Sequence, residues 1–512
     1  MMKTKRNLWK AMLQYCFNFI LILFALFLQA IAFWAIFVKS GYFLILYFVA
    51  QILSFLCVVG IYQKNDNASY KLSWTILILL LPFFGLVTYL FFGNGRTLPK
   101  KKIKKIDNYL NRHIHENDNI NLIKQLDPIG YKHISILNSF ARIPCHYNTE
   151  SIFYNDGLTK FEALLDDIKN AKKYIFLEYF IIAKGYAFDK IIEELEKKAK
   201  EGIEVKIIYD DVGSKFVIKK RDVQKINAIP NIKMVAYNPM KYTVNWGLNY
   251  RDHRKIAIID GNIAYCGGDN IADEYIHKID RFGYWRDNAI RLVGDAVYNF
   301  IIMFAQNWYM CTREMLDVEN YRGDIKIQSH RGVHIPYMDG PSNLNNPAYN
   351  LYRSLIENAQ NYIYISTPYL IIDKEFLASL INAKKAGVDV ILLLPGIPDK
   401  KLIYLVTKSH YRDLLKSGVK IYHYTPGFNH AKNFIVDDKY AVVGTINCDY
   451  RSLFLHFECA DFILYDSCIM NIKEDFLDAC SKSKEYTYEE WKKRSFLTKF
   501  IEMLLTVLAP LL

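Results

Sequence analysis

One pattern occurs twice in this chain, and no other feature limits the possible folds as much. His253-Arg254-Lys255, then four residues and Asp260, is one copy; His430-Ala431-Lys432, then four residues and Asp437, is the other. Both read His-x-Lys-x4-Asp, and an asparagine follows each histidine by seventeen residues, at Asn270 and Asn447. Residues two apart on a strand project to the same side, so each copy offers one imidazole and one ammonium from one surface. Apolar alternation after each lysine supports the strand. Asp260-Gly261 and Asp437-Asp438 then supply turns toward returning strands at 264–267 and 440–444.

The surroundings of the two copies are also alike. Short β-rich runs such as 174–182 and 205–209 alternate with amphipathic helical stretches such as 188–201. The run 174–182 matches 364–372 in five of nine positions. A lysine-rich helix follows in each case, and Gly202-Ile203-Glu204-Val205 or Gly387-Val388-Asp389-Val390 opens the next strand. A duplication of this length predicts two similar α/β halves packed around one site rather than a solenoid. The halves are placed at 131–325 and 326–490.

Before residue 95 the texture is that of a membrane segment. Apolar blocks at 12–38, 42–62 and 72–92 each approach the roughly 20 residues needed to cross a hydrocarbon core. A cleaved signal peptide fits poorly, because the first block is too long and two more follow it. Lys3, Lys5, Arg6 and Lys10 precede the first block, and Arg96, Lys100, Lys101, Lys102, Lys104 and Lys105 follow the third. The positive-inside rule places both clusters in the cytoplasm and asks for an even number of crossings. Gln14, Asn18 and Gln29 mark the first block as interfacial or re-entrant. The second and third are therefore expected to form a hairpin in the cell membrane, with the chain after Gly93 cytoplasmic. A basic linker covers 96–130, where anionic lipid would attract each lysine by about 1 kcal/mol. The apolar stretch 496–512 is too short to span, and 491–512 is expected to lie as an amphipathic helix in the interface. Net charge is +13, which suits a polyanionic partner. Nine scattered cysteines without a CxxC speak against a disulfide framework and a zinc ribbon.

Two His/Lys sets suit displacement at a phosphodiester. One histidine can attack phosphorus while the other protonates the departing oxygen. Lys255 and Lys432, with the amides of Asn270 and Asn447, can hold the non-bridging oxygens as they gain charge. This chemistry calls for no cofactor, and lysines between the candidate ligands argue against a metal site. Glu178 is the sole acid in its apolar strand and is a candidate partner for a catalytic histidine or lysine. His423 lies outside the motif and reads as a surface histidine.

The paired motifs resemble the phospholipase D superfamily, and further segments narrow the resemblance to bacterial cardiolipin synthases. These are 70–74 with 81–93, 249–255, 267–275, Trp285-Arg286-Asp287 and 449–453. The resemblance implies condensation of two phosphatidylglycerols to cardiolipin with loss of glycerol, through a phosphohistidine. It implies that Asp260 and Asp437 are charge partners orienting His and Lys, and that Glu274 and Glu458 fix the imidazole tautomers. It makes His253 the nucleophile and His430 the acid. Phosphatidylglycerol and anionic membrane lipid are the implied partners. Two readings compete: a hydrolytic phospholipase D, and a nuclease of the same superfamily. The membrane blocks count against nucleic acid as the partner. Two departures stand out: the extra block before residue 40, and His456, which stands where the family pattern has asparagine.

Overall fold

The computed structural model describes residues 21–34, 41–64, 67–93, 120–140, 143–239, 249–327, 332–340 and 346–511. Lys3, Lys5, Arg6, Lys10, Gln14, Asn18, Arg96 and the lysines at 100, 101, 102, 104 and 105 lie outside the described residues. Two compact units are present: residues 1–97, 239–250 and 500–512 form one, and 98–238 with 251–499 the other.

In the first unit, Gly41–Tyr62 is a 22-residue helix without a charged residue, about 33 Å long at 1.5 Å per residue. Among the described residues it is the one helix long and apolar enough to cross a membrane, and Phe48, Phe55 and Leu56 stand exposed on it. The described part of the first block is a shorter helix, Leu21–Trp34. The third block departs from expectation. It is not one crossing but two helices, Ala68–Leu80 and Pro82–Thr88, the second running on to Gly93. Pro82 has no N–H to donate and disfavours helical torsions at the residue before it; Leu81 sits at φ −127°, ψ 70°. The second piece folds back closely enough that a Cβ at Gly85 would lie 2.6 Å from the Ile78 Cα. Thirteen residues rise only about 20 Å, short of a hydrocarbon core of about 30 Å. Ile61, Trp74, Ile78 and Tyr89 form a small core here. The C-terminal helix Phe496–Leu508 exposes Phe496, Leu497, Phe500, Ile501, Met503 and Leu504. Near its end, the Val507 carbonyl accepts from Ser73 Oγ at 2.6 Å.

The second unit contains both motif copies, on two sheets that repeat one another strand for strand. The first runs 149–154, 289–294, 263–267, 255–259, 174–179, 204–210, 232–237. In the second the order is 333–339, 458–464, 440–444, 433–436, 362–366, 389–395, 420–424, with 483–485 added at the edge. The expected duplication is present, but its register is not the one read from 174–182 and 364–372. Tyr174 pairs with Glu204, and Tyr362 pairs with Asp389, so Tyr174 is equivalent to Tyr362. A slip of two residues leaves every side chain on its proper face, so an apolar pattern cannot detect it. Val297–Thr312 is apolar on nearly all sides, as a fully buried helix must be. Its Phe300, Phe304 and Trp308 join Phe176 and Ile258 of the first half and Ile435 and Ile463 of the second in one core. Residues 120–140, divided above between the linker and the first half, pack instead on the second: Ile134 and Leu137 lie in its core, and His133 meets Ser354 at 2.9 Å.

Candidate active site

Each motif strand enters the site held by the backbone of the other half. The His253 N–H donates to the Phe457 carbonyl at 2.8 Å, and the His430 N–H donates to the Arg286 carbonyl at 2.7 Å. Gly427–Asn429 pairs in parallel with Tyr284–Arg286, and Asp252 bridges to Phe457. The residue after each accepting carbonyl is an acid, and both acids turn into the site. Asp287 accepts from His430 Nδ1 at 2.7 Å; Glu458 accepts from His253 Nδ1 at 2.9 Å. The halves therefore exchange carboxylates. A carboxylate that accepts a hydrogen bond from Nδ1–H keeps the proton on that nitrogen and leaves the Nε2 lone pair free, so both rings are set in the form a nucleophile or base needs.

The lysines complete each set. Lys255 Nζ donates to the His253 carbonyl and Lys432 Nζ to the His430 carbonyl, which turns each ammonium back beside its own histidine. Lys432 N donates to Asn288 Oδ1 at 2.7 Å, a further link between the halves. The close approach depends on Gly268, where a Cβ would lie 2.0 Å from Asp287 Oδ1 and 3.1 Å from Lys432 Nζ. Aromatic rings wall the cleft: Phe180 meets His253 edge-on at 5.0 Å between centroids, and Tyr275, Trp285 and Phe428 surround His430.

Burial sets the protonation states. It pushes His253 well below 6.5, helped by Lys255, Lys432 and His430. His430 is likewise lowered by burial and by Lys432, to about 4, although Asp287 pulls the other way. Lys432 falls to about 7 through burial, with Lys255 adding to the effect. The two carboxylates diverge. Burial would raise Asp287, but His430, Lys432 and the Asn288 N–H outweigh it and hold the group below the ordinary range. Glu458 is driven by burial up to about 7 despite Lys255 and Thr445. Burial thus pushes both Glu458 and His253 toward their uncharged forms.

Several expected site residues lie elsewhere. Asp260 accepts from the N–H groups of Lys172, Lys173 and Tyr174, at 2.7 to 3.0 Å, and Asp437 does the same for Gln360, Asn361 and Tyr362 at 2.6 to 2.8 Å. Both sit at φ near +55° in the tight turn at the far end of the motif strand, about 17 Å of extended chain from the lysine. They anchor the neighbouring strand and orient neither His nor Lys. Glu274 is a partly exposed residue 3.6 Å from Arg281, and Asp287 occupies the position assigned to it. Glu178 lies opposite Ile256, on the sheet face away from Lys255, where it pairs with Arg254 at 2.9 Å and accepts from Asn307 at 3.0 Å. Asn270 accepts from the Ile181 N–H and donates to the Tyr275 hydroxyl, so it shapes the wall of the site. Asn447 keeps a buried amide oxygen without a hydrogen-bond partner. His423 is buried rather than on the surface, 2.9 Å from the Tyr411 hydroxyl. His456 stands beside His253, with ring centroids 5.6 Å apart. Asp287 is the residue sequence reasoning missed. Its signal was the Trp285-Arg286-Asp287 segment, which had been noted without a role.

Comparison with known proteins agrees with this geometry. The family described as "Cardiolipin synthase, PLD-like domain" matches residues 164–280 and 352–479, one stretch per half, and a phospholipase D-nuclease N-terminal family matches 52–94. A cardiolipin synthase 2 of Bacillus anthracis is 34% identical over 470 residues, covering 90% of this chain and 90% of that protein. A cardiolipin synthase of Staphylococcus aureus is 35% identical, covering 88% and 93%. Among solved structures, a phosphatidylserine synthase of Haemophilus influenzae shares the fold at a TM-score of 0.56 and 16% identity, over 74% of this chain and 100% of that one.

Proposed function

Since the chain belongs to the cardiolipin synthase family of phospholipase D-type phosphatidyltransferases, we propose that it transfers the phosphatidyl group of one phosphatidylglycerol to a second and releases glycerol. The exchange of carboxylates between halves carries this reading. It sets two imidazoles with free Nε2 lone pairs in one cleft between two lysines, the equipment for a two-step displacement at phosphorus.

His253 Nε2 attacks the phosphorus of the first phosphatidylglycerol. The glycerol oxygen leaves with a proton from His430, giving phosphatidyl-His253. The terminal hydroxyl of the second phosphatidylglycerol then gives its proton back to His430 and attacks the same phosphorus, releasing His253 and forming cardiolipin. Lys255 and Lys432 hold the equatorial oxygens as they gain charge, in a site where low dielectric strengthens that contact. The ionised Asp287 favours a protonated His430, which supports the acid role there. A phosphodiester anion entering the cleft supplies the charge that raises His430 from its value in the free site.

Gly41–Tyr62 anchors the enzyme in the membrane, and the helices on either side of Pro82, each too short to cross, lie in the membrane interface. The apolar face of Phe496–Leu508 lies in the same interface. The test is incubation of purified protein with phosphatidylglycerol in mixed micelles and mass analysis of the lipids. Cardiolipin with one equivalent of glycerol is expected. Phosphatidic acid as the main product would mean that water is the acceptor.

A further inference from the structure

We propose that His253, His456 and Glu458 form a binding site for Zn2+ that switches the enzyme off; the regulatory part rests on His253 being the nucleophile. Among the described residues, these three form the one group whose donor atoms, one from each, all lie within 4.8 Å of one another. Glu458 Oε1 is 2.9 Å from His253 Nδ1 and 3.9 Å from His456 Nδ1. Ligands at about 2.0 to 2.2 Å on a tetrahedral zinc ion stand about 3.4 Å apart. The two observed spacings straddle that value.

His456 is the residue that points to a ligand. Both of its ring nitrogens are buried without a hydrogen-bond partner, although buried imidazoles are nearly always bonded. Its backbone is fixed by a 2.7 Å bond to the Arg451 carbonyl at the end of a short helical turn, which holds the ring against His253. Two imidazoles and one carboxylate suit Zn2+ or Co2+ and not Mg2+, and they leave a fourth position open. Lys255 stands close by and opposes a dication, which makes this a site for reversible inhibition rather than a permanently loaded one.

Inhibition follows from the chemistry of the ring. The ion takes Nδ1 of His253 and displaces the hydrogen bond to Glu458. The ring proton moves from Nδ1 to Nε2, and the lone pair that attacks phosphorus is lost.

The experiment uses untagged full-length protein in detergent, stripped with EDTA and free of lipid. Zn2+ is titrated against a chromogenic chelator, and Co2+ by its visible absorption. One equivalent is expected to bind, with His456→Asn weakening it at least tenfold and His430→Ala leaving it unchanged. In the phosphatidylglycerol assay, Zn2+ should slow the wild type at least tenfold, chelator should restore the rate, and His456→Asn should need at least tenfold more Zn2+ for half-inhibition. Absence of stoichiometric binding overturns the site, as does binding or inhibition indifferent to His456→Asn. Circular dichroism confirms that the variants fold. Because binding is read without lipid, a failure of phosphatidyl transfer and a failure of the metal site show up in different measurements.

Discussion

His253 and His430 occupy matched backbone frames, each fixed by a carbonyl of the other half and facing the acid that follows it. Their electrostatics differ. Asp287 is held ionised beside His430, whereas burial pushes Glu458 up to about 7 beside His253. Burial pushes both imidazoles down, His430 to about 4. An ionised carboxylate stabilises an imidazolium, and a half-protonated one does so less. An aspartate beside His430 and a glutamate beside His253 thus make two like frames electrostatically unequal.

The largest effects should come from the histidines. His253→Ala and His430→Ala should each lower kcat by about three powers of ten or more, because one shared site needs both. Quenching during turnover with labelled lipid should leave the label on the peptide holding His253. Label on the His430 peptide would invert the comparison between the halves.

Next come the carboxylates. Asp287→Asn should cost roughly a hundredfold or more in kcat, since replacing the acid behind a catalytic imidazole spoils both its tautomer and its charge. Glu458→Gln at pH 7 should cost about tenfold, because it imitates a protonated form already populated there. Equal losses in the two variants would mean that the dyads are equivalent.

A smaller effect lies in the pH profile. Lys432 loses its charge as pH rises through about 7, because burial and Lys255 depress it. With an ammonium needed for phosphate, kcat/KM should fall above about pH 7, by up to roughly tenfold per unit. Lys432→Arg, which cannot deprotonate in this range, should flatten that limb while lowering the plateau. A limb unchanged in Lys432→Arg would assign it to another group.

These contrasts also show what the sequence could reveal. The motif strands and their turns were legible because period-two alternation and Asp-rich turns are local signals. Asp260 and Asp437 were in view, but their spacing cannot say whether a conspicuous acid serves the active site or ties down a strand. The carboxylate exchange was not legible, since it depends on which strands of different halves lie side by side. The nearby Glu274 therefore drew the role that belongs to Asp287. Glu178 misled for a related reason: on a strand buried on both faces, burial does not tell which face a side chain takes. The break at Pro82 was a local signal, outweighed by an apolar run that looked long enough to cross.

The smallest expected effect is the sharpest check on the pairing itself. Glu274 precedes Tyr275, whose ring lies 5.7 Å from His430, so it is the acid that proximity in sequence would favour. Its carboxylate instead turns outward to Arg281 at 3.6 Å, an exposed pair of the kind that contributes about 0 to 1 kcal/mol. Glu274→Gln should therefore leave kcat/KM within about twofold of wild type, and the fall above about pH 7 should not move. Combined with Asp287→Asn, it should multiply the loss by no more than that small factor, as independent sites do. A tenfold loss in Glu274→Gln alone, with the fold intact by circular dichroism, would show that His430 draws on the acid of its neighbouring loop. The contrast between an ionised Asp287 and a half-protonated Glu458 would then no longer describe the catalytic pair.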